Sequence, residues 1–113
     1  MRRGSKFGNR KVITPDGTFD SEREYRRWRE LQLLERAGEI GMLRRQVSFT
    51  LIPAQYDRRT GKLLERSVNY VADFVYQTEG FTVVEDAKGV RTPEYIIKRK
   101  LMLYIHGLKV QEV

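Results

Sequence analysis

The sequence predicts an α/β domain with a mixed central sheet, laid down in the order helix, strand, strand, strand, helix, strand. Two capped amphipathic segments bracket three stretches patterned as strands. The second and third of those stretches are joined by a loop too short for a crossover, so they pair antiparallel as a hairpin. A chain of 113 residues makes a single domain the starting expectation, and the absence of Cys excludes disulfide scaffolds and Cys-ligated zinc modules.

Residues 1–11 carry Arg2, Arg3, Lys6, Arg10 and Lys11 without an acid, which predicts a mobile basic arm able to touch phosphates, ahead of a folded domain at 12–113. Pro15-Asp16-Gly17 between two short apolar pairs predicts a small hairpin or turn. Ser21-Glu22-Arg23-Glu24 fits a capping box, the Ser21 hydroxyl accepting from the Glu24 amide and the Glu24 carboxylate reaching back to Ser21. Tyr25, Trp28, Leu31, Leu34 and Ala37 then supply the apolar stripe of a first helix, which Gly38 stops.

Gln46 to Ile52 alternates polar and apolar residues as a half-buried strand does, and Pro53 ends it. Asp57 to Lys62 is a turn, Val68 to Tyr76 a second strand, and Phe81 to Lys88 a third, closed by Gly89. Thr92-Pro93-Glu94 places a cap, a first-turn proline and a first-turn acid in helix-start order. Ile97, Leu101, Tyr104 and Ile105 form the expected apolar face of that helix, which Gly107 ends before a last strand from Leu108 to Val113.

Lys and Arg number 22 against 15 Asp and Glu, a formal charge of +7, and that balance favours a polyanionic partner, nucleic acid first. No apolar run approaches the roughly 20 residues of a membrane-spanning helix, and the start lacks the apolar stretch of a secretory signal. A cytoplasmic protein with no membrane partner is the expectation.

Asp86 and Lys88 are two apart on the third strand and share a face, while Glu85 and Ala87 take the other. A two-residue loop at Glu79-Gly80 sets Asp73 on the face of Asp86 and Lys88; a three-residue loop or a bulge would set it beside Glu85. Two carboxylates and a lysine at a hairpin end suit a hard cation, Mg²⁺ or Mn²⁺, and phosphodiester hydrolysis needs that combination. The rival reading is a solvated Asp86–Lys88 surface pair. Glu24 has a rival reading as a capping acid alone. Lys98, Arg99 and Lys100 read first as a solvated helix face, with phosphate contact as the alternative. Trp28 reads as packing, and His106 has no nucleophile near it in sequence.

The order of elements, with an acid on the second strand and acid-x-Lys on the third, resembles the PD-(D/E)XK nuclease superfamily and its restriction-endonuclease-like core. More narrowly, Phe19-Asp20-Ser21 to Glu24, Tyr70 to Tyr76, Val84 to Gly89 and Thr92 to Leu101 are similar to a phage-encoded family of small endonucleases that resemble Holliday-junction resolvases. The resemblance covers most of the chain. It implies Asp73 and Asp86 as metal ligands, Lys88 as the catalytic lysine and Glu24 as an accessory acid, with Glu85 as an alternative ligand. Gln46, Lys98 and Arg99, with Lys6, Arg10 and Lys11 of the arm, are the candidate nucleic-acid contacts. Ala72 stands where the superfamily name has proline. The implied activity is cleavage of branched or structured DNA in phage recombination, replication or packaging, inside the bacterial host, by a protein able to form a homodimer. The alternative is a basic DNA-binding module that has kept a nuclease fold without catalysis.

Overall fold

A computed structural model describes residues 10–113; Arg2, Arg3 and Lys6 of the expected basic arm lie outside the described residues. Val12–Thr14 (β1) and Gly17–Phe19 (β2) pair antiparallel around Pro15-Asp16. The Thr14 hydroxyl stitches this tight turn, accepting from the Asp16 amide at 3.1 Å and donating to the Gly17 carbonyl at 2.9 Å. The hairpin delivers Phe19, fully buried, to the start of the helix Glu22–Arg36 (α1).

The Ser21 hydroxyl caps α1 as the sequence predicts, accepting from the Glu24 amide at 3.2 Å. The Glu24 carboxylate reaches back past Ser21 to the Asp20 amide, at 3.1 Å. The expected stripe of α1 holds only through Leu31; Leu34 and Ala37 are exposed, since the cluster under the helix draws on Trp28 and Leu31 alone. Gly38, at φ 79°, supplies the left-handed stop.

Gly41–Ile52 (β3) begins five residues before the expected strand. Its first half hides from pattern reading because Met42 and Gln46 both take φ 52°, which disturbs alternation, and because Arg44 and Arg45 sit where apolar residues would signal a strand. Beyond Pro53, Gln55–Tyr56 (β4) and Leu63–Glu65 (β5) form a small hairpin. Its turn is tied by Asp57 Oδ1, which accepts from the amides of Arg59 at 2.8 Å and Thr60 at 2.9 Å.

Val68–Thr78 (β6) and Phe81–Asp86 (β7) pair in the expected hairpin around a two-residue loop. Glu79 at φ 49° and Gly80 at φ 81° give both loop positions the positive φ that a tight hairpin matched to strand twist requires. β7 stops at Asp86, two residues short of expectation. The helix Pro93–Leu101 (α2) is capped by Thr92, whose hydroxyl accepts from the Tyr95 amide at 3.1 Å, and it runs into a π-helical turn, Met102–His106. Val110–Glu112 (β8) then pairs parallel to β7, so the sheet order is β3-β6-β7-β8 and the sheet is mixed.

The two helices cover opposite faces. One cluster joins Leu51, Tyr70, Ala72, Val75 and Val84 to Tyr95 and Met102 of the α2 segment; the other joins Phe74 and Tyr76 to Leu31 of α1. The inward side of α2 is not the expected one: Tyr95 and Met102 are buried, while Ile97, Tyr104 and Ile105 are 59%, 87% and 44% exposed. The wider π turn rotates each residue by less than an α-helix does, so the side chains that follow Leu101 lag a constant 3.6-residue period, which misplaces them.

Faces also invert within the sheet. Ala72 and Phe74 are two apart on β6 and Leu43 and Val47 share parity on β3, yet each pair divides between the two clusters. The inversion falls where the Arg45↔Phe74 and Val47↔Ala72 pairings flank Gln46 and Asp73, at the left-handed Gln46. One non-glycine residue at positive φ thereby re-aims two strands, and the side chains gathered at that point form the candidate site.

Candidate acid and lysine site

At the Gln46–Asp73 crossover a cleft of about 400 Å³ opens, bordered by Glu24, Gln46, Asp73, Asp86 and Lys88, with Thr92 at the start of α2. The Phe74↔Glu85 register sets Asp73 level with Asp86, as the two-residue loop requires. Asp73 accepts from the Ala87 amide through Oδ2 at 2.8 Å and from the Gln46 amide nitrogen through Oδ1 at 3.3 Å. Desolvation, then the charges of Asp86 and Glu24, push the Asp73 carboxyl up to about 7, against the opposing pull of those two donors.

Asp86 is 4% exposed and held on both oxygens: the Tyr70 hydroxyl donates to Oδ2 at 2.6 Å, and the Lys88 ammonium stands 3.3 Å from Oδ1. Burial, then the bond to Asp86, pushes the Tyr70 hydroxyl far above its ordinary range, so it stays a donor. Lys88 is steadied from three sides. Its ammonium meets Asp86 and the Tyr95 ring, 4.2 Å from the ring centre, and its main-chain carbonyl accepts from Arg23 at 2.9 Å.

Glu24 serves twice. Its Oε1 takes the Asp20 amide at the helix start, while its Oε2 accepts from Gln46 at 3.2 Å and from Arg45 at 3.4 Å. The Gln46 amide therefore bridges Glu24 and Asp73, and desolvation raises the Glu24 carboxyl above its usual value. Arg45 backs this pair from a largely apolar seat, its guanidinium 3.7 Å from the Phe19 ring centre and donating to the Thr18 carbonyl at 3.1 Å.

Glu85 points to the other face of the sheet. Arg27 grips it in a bidentate pair at 2.8 and 2.7 Å, and the Tyr76 hydroxyl donates to the same carboxylate. The Glu85 partners are thus on the α1 side, and Asp86 is the acid that faces the cleft. Lys98 and Arg99 do not border the cleft; they pair with Glu94 and Glu112, each at 3.1 Å. Lys11 pairs with Asp20 at 3.1 Å beside the cleft, Arg10 is exposed, and Lys6 lies outside the described residues. Trp28 packs, stacked on Phe74 at 6.0 Å, and His106 bonds the Thr50 carbonyl at 2.8 Å.

Tyr70, Tyr95, Arg45 and Arg23 complete the site and were not among the candidates read from sequence. Tyr70 is an odd number of residues from Asp73, which in a regular strand points it to the other face; the inversion at Gln46 turns it toward Asp86. Tyr95 carried a signal in its place at the third position of a Thr92-capped helix, next to the cleft.

Among the described residues no three acidic, His or Cys side chains are spaced as a ready-made metal cage. The donor chemistry nevertheless fits a hard divalent ion of the Mg²⁺ kind, which takes one or two carboxylates and keeps several waters. Asp73 and Asp86 offer two level carboxylates, and the crowding that drives Asp73 upward is an excess of negative charge that a cation relieves.

Fold and cleft together define a small basic α/β domain, helices on both faces of a mixed sheet, with acids and a lysine converging where the sheet inverts. The chain belongs to the DUF1064 family, described as a protein of unknown function, whose model matches residues 4–111. No curated protein and no solved structure matches it. No helix among the described residues is long and apolar enough to cross a membrane.

Proposed function

We propose that this protein is a divalent-cation-dependent endonuclease of the PD-(D/E)XK kind that hydrolyses DNA, with branched or otherwise structured DNA as its substrate. The observation that carries the reading is the convergence of Asp73, Asp86 and Lys88 on one cleft, with Asp73 crowded by its acidic neighbours. A cytoplasmic location and a role in phage recombination, replication or packaging belong to the same proposal. Asp73 and Asp86 would hold Mg²⁺ or Mn²⁺, whose contribution when bound is to acidify water and neutralise phosphoryl charge.

The residues have distinct tasks. Tyr70 fixes Asp86 in one orientation by holding Oδ2, leaving Oδ1 toward Lys88. Lys88 offers its ammonium to a phosphoryl oxygen of the substrate, where charge grows as the pentacoordinate state forms. Gln46 keeps Glu24 and Asp73 close despite their repulsion, one amide group donating to both. Glu24 closes the acidic wall behind them, its charge balanced by Arg45. A basic surface of net charge +7 attracts the polyanion.

The test is cleavage of linear, flapped and four-way-junction DNA by the purified protein with Mg²⁺, Mn²⁺ or chelator. Metal-dependent nicking that is lost in Asp73→Asn and in Lys88→Ala supports the reading. A parent protein that cuts no DNA or RNA with either metal overturns it in favour of a basic DNA-binding module.

A further inference from the structure

The sequence writes an apolar stripe on α2, and the fold leaves most of it outside. Ile97 is 59% exposed and Tyr104 87%, because the core takes Tyr95 and Met102 from the other side of the segment. Ile97 and Leu101 face Ile52 and Val68, at the ends of β3 and β6, across a groove of about 850 Å³. The rim of the groove carries one acid and one base a turn apart, Glu94 and Lys98, paired at 3.1 Å. An apolar floor with a charge-neutral rim suits a protein surface and repels neither sign. A polyanion would meet Glu94, whose side chain is 76% exposed.

We propose that this groove is the docking surface for a second copy of the chain, the two α2 helices crossing antiparallel midway between Glu94 and Lys98, beside Ile97. The rim is self-complementary under that operation and no other simple one. Reversal sets Glu94 of one copy over Lys98 of the other and repeats the contact by symmetry, while parallel stacking sets acid on acid. Ile97 and Leu101 of each helix then fill the groove of the other, which a chain with so small a core gains from covering. α2 begins at Thr92, on the border of the cleft, so the arrangement leaves both clefts open at opposite ends of the helix pair. The contact stands whether or not the cleft cuts DNA.

Sedimentation velocity on the full chain at high micromolar concentration, without DNA or metal, tests it independently of cleavage. The parent is expected to be a dimer and Ile97→Glu a monomer that keeps the parent's far-ultraviolet circular dichroism and melts cooperatively, since within one copy the side chain is largely exposed. Glu94→Lys and Lys98→Glu should each be monomeric alone, because each gathers like charges on both rims. Mixed in equal amounts, the two should form a heterodimer, which repair of the pair within one helix cannot produce. A monomeric parent, a dimeric Ile97→Glu, or a mixture that stays monomeric overturns the proposal.

Discussion

The Lys88 ammonium lies 4.2 Å from the centre of the Tyr95 ring, and the hydroxyl of the same tyrosine donates to Glu112 at 2.8 Å. Glu112 is itself gripped by Arg91 and Arg99, which hold its carboxyl down at about 2. The lysine therefore rests on a ring fastened to β8, the strand beside β7, at the position level with Asp86. A partly desolvated cation–π contact is worth about 1–2 kcal/mol, so Tyr95→Leu should slow cleavage about tenfold. Tyr95→Phe keeps the ring and should stay within about threefold of the parent. Single-turnover cleavage at saturating Mg²⁺, with melting curves to confirm folding, separates the two; equal losses would show that the hydroxyl, not the ring, matters.

Asp73→Asn removes one charge from the crowded wall and leaves an amide of nearly the same shape. Cleavage should fall by more than a hundredfold, since a carboxamide is a poor ligand for a hard cation. Metal-free binding of DNA should hold or tighten, because an acid facing the phosphates is gone. Fluorescence anisotropy in chelator and gel cleavage in Mg²⁺ read the two effects apart.

The raised Asp73 carboxyl predicts a pH slope with a definite sign. Its folded value is about 7 against 3.8 for the free side chain, so between these limits the native state binds more protons than the unfolded chain. Metal-free stability should therefore rise as pH falls from above 7 toward 4, and the penalty should be complete above 7. Saturating Mg²⁺ competes with that proton and should flatten the slope. Urea midpoints measured from pH 5 to 8 with and without Mg²⁺ check it; a midpoint that climbs with pH in chelator contradicts it.

Arg27 and Glu85 form a pair with the carboxylate 3% exposed and the guanidinium 26% exposed. Removing one partner of a buried pair strands the other, at about 3 kcal/mol, so Arg27→Met should unfold at markedly lower urea. Glu85→Gln keeps a group able to bond Tyr76 and should be milder. Because Glu85 faces α1, this variant should keep cutting DNA at a temperature where it is folded, whereas Asp86→Asn should not. Loss of cleavage in folded Glu85→Gln would reassign the ligand.

What was legible in the sequence is what parity and short loops fix. Of the two loop lengths that the sequence left open, the hairpin takes the two-residue one at Glu79-Gly80, and Asp73 and Asp86 come to one side as that reading requires. Ser21 and Thr92 marked helix starts by the chemistry of their hydroxyls, and Glu24 came to the cleft through its cap. Parity failed where the backbone departs from it: the φ of 52° at Gln46 leaves no trace in residue types, so the Tyr70–Asp86 bond was hidden. Arg27 and Glu85 are 58 residues apart, and their meeting depends on how α1 is rotated over the sheet. With Ile at both 96 and 97, the apolar pattern pointed to the Ile97 side of α2, whereas the core takes Tyr95, Ile96 and Met102.

The inversion at Gln46 also has a bearing on the order in which parts of the molecule come undone. Two separate apolar clusters lie on opposite faces, and the β6–β7 hairpin, with β3 beside it, contributes walls to both, through Leu43, Phe74, Tyr76 and Val83 on one side and Leu51, Val75 and Val84 on the other. Either helix can lift away while the hairpin remains sheltered by the other. Amide protons of Val75 and Val84 should then exchange with solvent only through complete unfolding, and those of α1 and α2 through two cheaper, independent openings. Asp73 and Asp86 are thus mounted on the last part of the protein to loosen, and their spacing survives fluctuations that would scatter a constellation built on either helix.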